Sequence, residues 1–320
     1  MAADLHLHTH FSDGTYSPEE LVEHAGRVGL RAIAVTDHDT VEGCDRAARA
    51  CAASGLEFVA GTELTCELEG CEVHLLGYYL DTAHPRLLQE LAVFQRVRQE
   101  RVCEMVAKLN ELQIPIEAGA VFALANCRSP GRPHVARALV QQGLCGTLDE
   151  AFERFLKKHR PAWVPKFKMS ARQAISLIHE ARGLAVVAHP GLNKNDRIIP
   201  RLVEAAVDGI ECWHTKHTRA MTERYVALAR EYGLLITGGS DCHGLSKGKP
   251  LIGTVRLEWT HFEALKARAA AKRRTSSPAA LAAAGWGQPA LPSDSLAPGR
   301  AIPGAPLSPV RPPGTARHLD

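Results

Sequence analysis

The chain has 320 residues, 45% of them hydrophobic and 23% charged, with a formal net charge of +3. That length supports one large domain or two ordinary ones, and no stretch approaches the roughly 18 uninterrupted apolar residues of a membrane span. The charge is uneven: residues 272–320 hold six Lys or Arg against Asp294 and Asp320, which leaves residues 1–271 at −1, without the basic footprint of a nucleic-acid binder. The opening MAADLHLHTH lacks the charged start and apolar run of a secretory signal, so a cytosolic location is expected. Nine cysteines without a CxxC pair read as reduced thiols. Cys44, Cys51, Cys103, Cys127 and Cys145 fall in helix-like segments and are expected to be small buried residues.

In chain order, ADLHLH predicts a short strand, followed after a Ser-Asp-Gly turn by a helix opening at Ser17-Pro18-Glu19-Glu20. Serine at the cap, proline in the first turn and acids beside the amino end are strong helix starts. RAIAVTDHD predicts a buried strand, residues 42–54 a helix ending at Gly55, and LEFVAGTEL and EVHLLGYYL two further strands. Residues 86–112, 118–126, 133–143 and 148–157 read as helices without a strand between them. The alternation then returns with GLAVVAHP, a helix near 196–206, GIECWH, a helix near 218–232, and LLITGGSDCH. Seven strands mostly separated by helices predict a parallel α/β sheet or barrel. Residues 84–165 are expected to form an inserted helical subdomain between barrel segments 1–83 and 166–271. From residue 275 the chain has nine prolines and five glycines in 46 residues, so a disordered tail is expected over 272–320.

Sixteen histidines against 17 Phe, Trp and Tyr is an unusual balance, and their positions carry the chemistry. His6 and His8 are two apart on a strand, which puts both rings on one face. Asp241 and His243 repeat that spacing after the last apolar run. Asp37, His38 and Asp39 follow the second strand, Glu63 the third, His74 lies in the fourth, and His189 ends VVAHP. In a barrel of parallel strands the carboxyl ends converge on one face however distant they are in sequence. Mixed His and carboxylate ligands suit zinc, manganese or iron better than calcium, and the lack of cysteine among them argues against a structural zinc site.

The ordered set HxH, SDG, TDHD, GTE, AHP and SDxH resembles the PHP (polymerase and histidinol phosphatase) family of metal-dependent phosphoesterases, over residues 3 to about 270. The resemblance implies an α/β fold, a distorted (β/α)7 barrel with two to three divalent metal ions, manganese foremost, with magnesium, iron and zinc as alternatives. By position, His6, His8, Glu63 and Asp241 would hold the first metal, Asp13, His38 and His243 the second, and a bridging Glu63 with His74 and His189 the third. Asp13, where some relatives carry histidine, and the helical insertion resemble the branch of 3′,5′-nucleoside bisphosphate phosphatases and 5′-3′ exoribonucleases. In RSPGRPHVARAL the resemblance makes Arg132 and His134 phosphate contacts, with Ser129, Lys166 and Lys194 as further substrate contacts.

His214 ends GIECWH on the ligand face and reads as a donor to substrate or to the leaving oxygen, so the catalytic set is His214, Arg132 and His134. His217 lies one turn beyond, and the HxHxH pattern puts His10 on the ligand face without an assigned role. The expected reaction is hydrolysis of a nucleotide phosphate monoester, foremost the 3′-phosphate of a 3′,5′-bisphosphate and also AMP, by hydroxide held between the first two metals. A 5′-3′ exoribonuclease on short 5′-phosphorylated RNA, supported by Arg96, Arg98, Arg101 and Arg128, is the nearest alternative. Histidinol phosphatase and a non-catalytic metal-binding accessory domain are further ones. The partners expected are a small nucleotide or short RNA, with no membrane and no stable DNA partner.

Overall fold

The computed structural model describes residues 1–275; the segment expected as a tail lies, from residue 276, outside the described residues. Strand β1 (Ala2–Leu7) is buried from Ala3 onward. Helix α1 (Pro18–Arg27) starts with a capping box, the Ser17 hydroxyl accepting from the Glu20 amide while the Glu20 carboxylate accepts from the Ser17 amide. β2 (Ala32–Val35) and α2 (Cys44–Ser54) repeat the unit, and Gly55 ends α2 at φ 68°.

β3 (Glu57–Leu68) and β4 (Cys71–Tyr78) form an antiparallel hairpin, in register from Gly61 opposite Tyr78 to Leu68 opposite Cys71. Here the structure departs from an all-parallel sheet, because only Glu69 and Gly70 separate the strands and a parallel partner needs a long crossover. Four helices follow: α3 (Pro85–Glu111), α4 (Ala118–Ala125), α5 (Arg132–Gln141) and α6 (Leu148–Ala151), the last running into a π-helical turn over Phe152–Leu156. They enclose a core of their own, with Met105, Leu109, Val121, Val135, Leu139 and Leu156 among its buried residues. α3 also gives Leu87 and Leu91 to the barrel core, so one helix about 40 Å long ties the two cores together.

The chain returns through β5 (Met169–Ser170), α7 (Ala171–Glu180), β6 (Leu184–Val187), α8 (Ile198–Glu204), β7 (Gly209–His214), α9 (Arg219–Glu231), β8 (Leu235–Gly239), β9 (Leu257–Glu258) and α10 (Trp259–Thr275). The sheet order is β8-β7-β6-β4-β3-β2-β1-β9, with β5 paired to β3. β4 runs antiparallel to both β3 and β6, and β9 to β1; the remaining pairs are parallel. The sheet nearly closes, since the His8 amide donates to the Cys242 carbonyl at 3.0 Å just beyond β8. Gly239 makes this approach possible, because a Cβ there would lie 2.3 Å from the His6 Cβ.

All seven expected strands are present in this distorted α/β barrel. Four elements escaped the sequence reading: β5, α7, β9 and α10. The signal for α7 was available in Ser170 and Gln173, which form its capping box. α10 continues through Thr275, past the expected boundary at 271, because Phe262, Leu265 and Ala269 anchor it in the core that β1 and β2 share. The cysteine expectation holds for Cys44, Cys51 and Cys145, whereas Cys103 is exposed and Cys127 half-buried in the loop before α5. No helix among the described residues is long and apolar enough to cross a membrane.

Candidate metal centre

The histidine and carboxylate side chains converge around Glu63, which follows the last parallel β2–β3 pair. Its Oε2 lies 3.2 Å from His6 Nε2, 3.3 Å from His8 Nε2 and 3.2 Å from His38 Nδ1. Its Oε1 lies 2.6 Å from His74 Nδ1 and 3.0 Å from His189 Nε2. Asp241 Oδ1 is 3.5 Å from His6 Nε2 and 3.2 Å from His8 Nε2, and Asp13 Oδ1 is 3.2 Å from His243 Nε2.

The donor atoms fall into three groups, each within 4.8 Å: His6, His8, Glu63 and Asp241; His8, Asp13, His38 and His243; and His38, Glu63 and His74. The first group has the same residues as the expected first set; the second adds His8 to Asp13, His38 and His243, and the third holds His38 where His189 was expected, His189 lying 3.0 Å from Glu63 Oε1. The donor chemistry fits divalent cations. Both ring nitrogens of His8, Nδ1 of His38 and Oδ1 of Asp13 are buried without a hydrogen-bond partner, a cost that a coordinated cation would remove. The carboxylates are held ionised as ligands must be. Burial works against charge on Glu63, but His38, His74 and His6 outweigh it and hold it well below the usual carboxylate range. Asp13 and Asp241 are likewise held down against burial, each chiefly by His243.

The backbone around the ligands is strained in a way that positions them. Asp39, His189 and Asp241 all adopt positive φ, of 50°, 26° and 53°, a costly conformation that collects at functional sites. Asp37 holds the turn that presents Asp13, accepting from the Thr9 amide at 2.7 Å, the Thr9 hydroxyl at 2.5 Å and the Ser12 hydroxyl at 2.6 Å. Gly14 is required in that turn because a Cβ would stand 2.4 Å from the His8 carbonyl oxygen.

Two carboxylates that carry the site were missed by the sequence reading. Glu211 is wholly buried, with Oε1 3.1 Å from His6 Nδ1 and Oε2 accepting from the His189 amide at 2.7 Å. It fixes the ring of one ligand and the backbone of another, the role played by carboxylates behind metal-bound histidines. Its signal was an acid at an inward position of a buried strand. Asp4 accepts from the Ser240 amide at 2.8 Å and the Gly253 amide at 2.9 Å, tethering the loop that bears Asp241.

The segment before and into α5 supplies the other wall. The Ser129 hydroxyl donates to the His38 carbonyl at 2.6 Å, Arg137 Nη2 to the Asp13 carbonyl at 2.5 Å, and the Cys127 thiol to the Ser12 carbonyl at 3.3 Å. His134 is buried, its Nδ1 accepts from the Gly131 amide at 3.0 Å, and burial pushes its pKa down to about 4. It is therefore a neutral imidazole with its proton on Nε2. His214 shares that tautomer, because its Nδ1 accepts from the Lys216 amide at 3.1 Å while Nε2 faces Asp241 Oδ2 at 3.5 Å. Arg132 Nη1 donates to the Leu156 carbonyl at 3.4 Å, and Lys166 Nζ lies 3.4 Å from His74 Nε2.

Some candidates are elsewhere. Lys194 is exposed and lines a separate cleft with Arg197, Arg224 and Tyr225. His10 leaves the ligand face because β1 ends at Leu7, and its ring packs on Phe11. His217 is a structural imidazole, donating through Nδ1 to the Cys212 carbonyl at 2.9 Å and accepting at Nε2 from the Gly191 amide at 3.2 Å. Of the basic residues considered for RNA, Arg98 is taken up by Asp39 at 2.6 Å and Arg128 lies 3.5 Å from Glu42.

Comparison with known proteins agrees with this geometry. The PHP domain matches residues 4–157. A 5′-3′ exoribonuclease of Haemophilus influenzae is 34% identical over 273 residues, covering 81% of this chain and 98% of the relative. The chain belongs to the PHP domain family. A second relative, a 3′,5′-nucleoside bisphosphate phosphatase of Chromobacterium violaceum, is 32% identical over 259 residues, covering 78% of this chain and 90% of that protein. A solved structure from Bifidobacterium adolescentis, described as a putative metal-dependent phosphoesterase, superposes with a TM-score of 0.77 at 34% identity, covering 83% of this chain and 96% of the other. This PHP protein is accordingly a metal-dependent phosphoesterase.

Proposed function

We propose that the protein hydrolyses nucleotide phosphate monoesters, foremost the 3′-phosphate of 3′,5′-nucleoside bisphosphates, with AMP as a second substrate. The observation that carries this reading is the fastening of the helical segment onto the ligand loops through Ser129, Arg137 and Cys127, which supports a bounded recess for a small substrate over a running groove for a polymer. The residues that would hold cations are His6, His8, Glu63 and Asp241; Asp13, His38 and His243; and His74 with His189, manganese being the first choice for so mixed a donor set. Bound there, two or three divalent cations supply charge neutralisation for the phosphate dianion and a water acidified towards neutral pH.

The protein's own groups do the rest. Glu63 holds histidines from four strands or the loops after them, β1, β2, β4 and β6, about one carboxylate, so their geometry is set before substrate arrives. Arg132 presents a planar guanidinium suited to two phosphoryl oxygens, and the Nε2–H of His134 offers a neutral donor beside it. His214 Nε2–H is left to hydrogen-bond the leaving oxygen. Its tautomer supports donation of a hydrogen bond in preference to full proton transfer, so the leaving alkoxide takes its proton from solvent.

A second reading has specific support, since the Haemophilus relative is an exoribonuclease. Incubating manganese-loaded protein with adenosine 3′,5′-bisphosphate, AMP and a 5′-phosphorylated tetranucleotide separates the two. Phosphate and AMP from the bisphosphate, with the tetranucleotide intact, are expected. Stepwise release of mononucleotides from the tetranucleotide would replace the phosphatase reading with the exoribonuclease one.

A further inference from the structure

The helical segment reaches the ligand loops at one further point. Arg98 lies on α3, and its Nε and Nη2 both stand 2.6 Å from Oδ2 of Asp39, the residue after His38. Both side chains are largely buried, Arg98 14% and Asp39 2% exposed, and Arg98 is the only ion-pair partner of Asp39 among the described residues. Gln95, three residues earlier and so on the same face of the helix, donates through Nε2 to the Asp39 carbonyl at 3.5 Å. The turn held this way is strained: Asp39 sits at φ 50°, a left-handed backbone that persists only where its surroundings impose it. α3 is a firm mount for this clamp, because Leu87 and Leu91 are buried in the barrel core and Arg101, itself 5% exposed, donates through Nε to the Val164 carbonyl at 3.0 Å.

The ligand groups differ in how far they depend on this segment. His38 belongs to the second and third groups, and its carbonyl is also held by Ser129, while Asp13 of the second group is held through its carbonyl by Arg137. Among the described residues, no hydrogen bond or ion pair joins His6, His8, Glu63 or Asp241, the first group, to α3–α6. We propose that Arg98 is a positioning residue for His38: clamped on Asp39 from the helical segment, it fixes the turn that aims the imidazole and so sets how tightly the second cation is bound, while the first is held by the barrel alone. The inference rests on the ligand assignment above and deepens it, since it orders the cation positions by their dependence on the segment. The planar guanidinium matters here, because a lysine ammonium would carry the charge without the paired donors that lock the turn.

The test counts bound manganese on the full chain by equilibrium dialysis, without substrate, in the wild type, Arg98→Met, Arg98→Lys and Asp241→Ala. Arg98→Met is expected to keep the first cation at wild-type affinity and to bind the second about 10- to 100-fold more weakly, with Arg98→Lys between the two. Electron paramagnetic resonance supplies an independent signature: at the same added manganese, the wild type is expected to show a spin-coupled pair and Arg98→Met an isolated ion. Wild-type manganese binding in Arg98→Met, equal weakening of every cation, or a single cation in the wild type would overturn the positioning role. Breaking a buried ion pair can unfold a chain; if Arg98→Met does not fold, a wild-type manganese profile in Arg98→Lys would overturn the role instead. Wild-type manganese binding in Asp241→Ala would overturn the ligand assignment itself, which keeps the two failures apart.

Discussion

The two walls of the site are built on opposite plans. The barrel face is assembled from strand ends and the tight loops after them, and its groups are histidines and carboxylates that point at one another around Glu63. The helical wall presents arginines and lysines: Lys166 and Lys168 pair with Glu72, while Arg132 at a helix start and Lys158 in a loop have no ion-pair partner among the described residues. The barrel wall pairs its carboxylates with histidines, whereas Arg132 and Lys158 on the helical wall have no acid within ion-pair distance among the described residues. On the proposed function, the contrast separates catalysis from selection: the strand ends would fix what chemistry is possible, and the helical segment would select the phosphate ester brought to it.

That division can be broken by experiment. His8→Ala and Asp241→Ala are expected to lose bound metal and turnover together, by about a thousand-fold or more. Metal analysis beside a phosphate-release assay checks this, and full activity in a variant shown to lack metal would end the assignment. Arg132→Met should lower kcat/KM about 100-fold while the metal content stays that of the wild type. If metal were lost as well, the two walls would not be separable.

Glu211→Gln sharpens the barrel side, because weakening the bond to His6 Nδ1 should reduce metal affinity about 10- to 100-fold. Metal titration should show turnover recovering as manganese is raised, which a merely misfolded variant would not do.

The smallest effect concerns acid. Burial holds His134 at about 4 in the folded protein, against about 6.5 when unfolded. The unfolded chain therefore binds this proton first as pH falls. The stability contributed by keeping the ring neutral is complete above about pH 6.5 and is lost towards pH 4, roughly 3 kcal/mol in all. Chemical denaturation at several pH values should give a shallower acid slope for His134→Gln than for the wild type.

Much of the barrel face was legible. Apolar runs marked the seven strands, the period of two put His6 and His8 on one side, and convergence at the carboxyl ends followed from barrel geometry. His10 shows where that logic stopped, since alternation holds only while the strand lasts and β1 ends at Leu7. The β3–β4 hairpin was not read from the sequence, where the expected strands stopped at Leu64 and resumed at Glu72, nor was its antiparallel partner β6, because strand extension and pairing depend on how the closed sheet meets itself. Glu211 was readable only as an acid in a buried strand, and Arg98 looked free until Asp39 was seen opposite it.

By itself, then, the sequence determined the donor set and the order in which strands deliver it, because side-chain alternation and strand ends are local properties of the chain. The tertiary structure alone decided which cations stand paired and which stand open, where Arg101 is buried, and how Ser129 and Arg137 lock the helical wall onto the ligands. Those outcomes depend on contacts between residues tens of positions apart, and no local pattern encodes them.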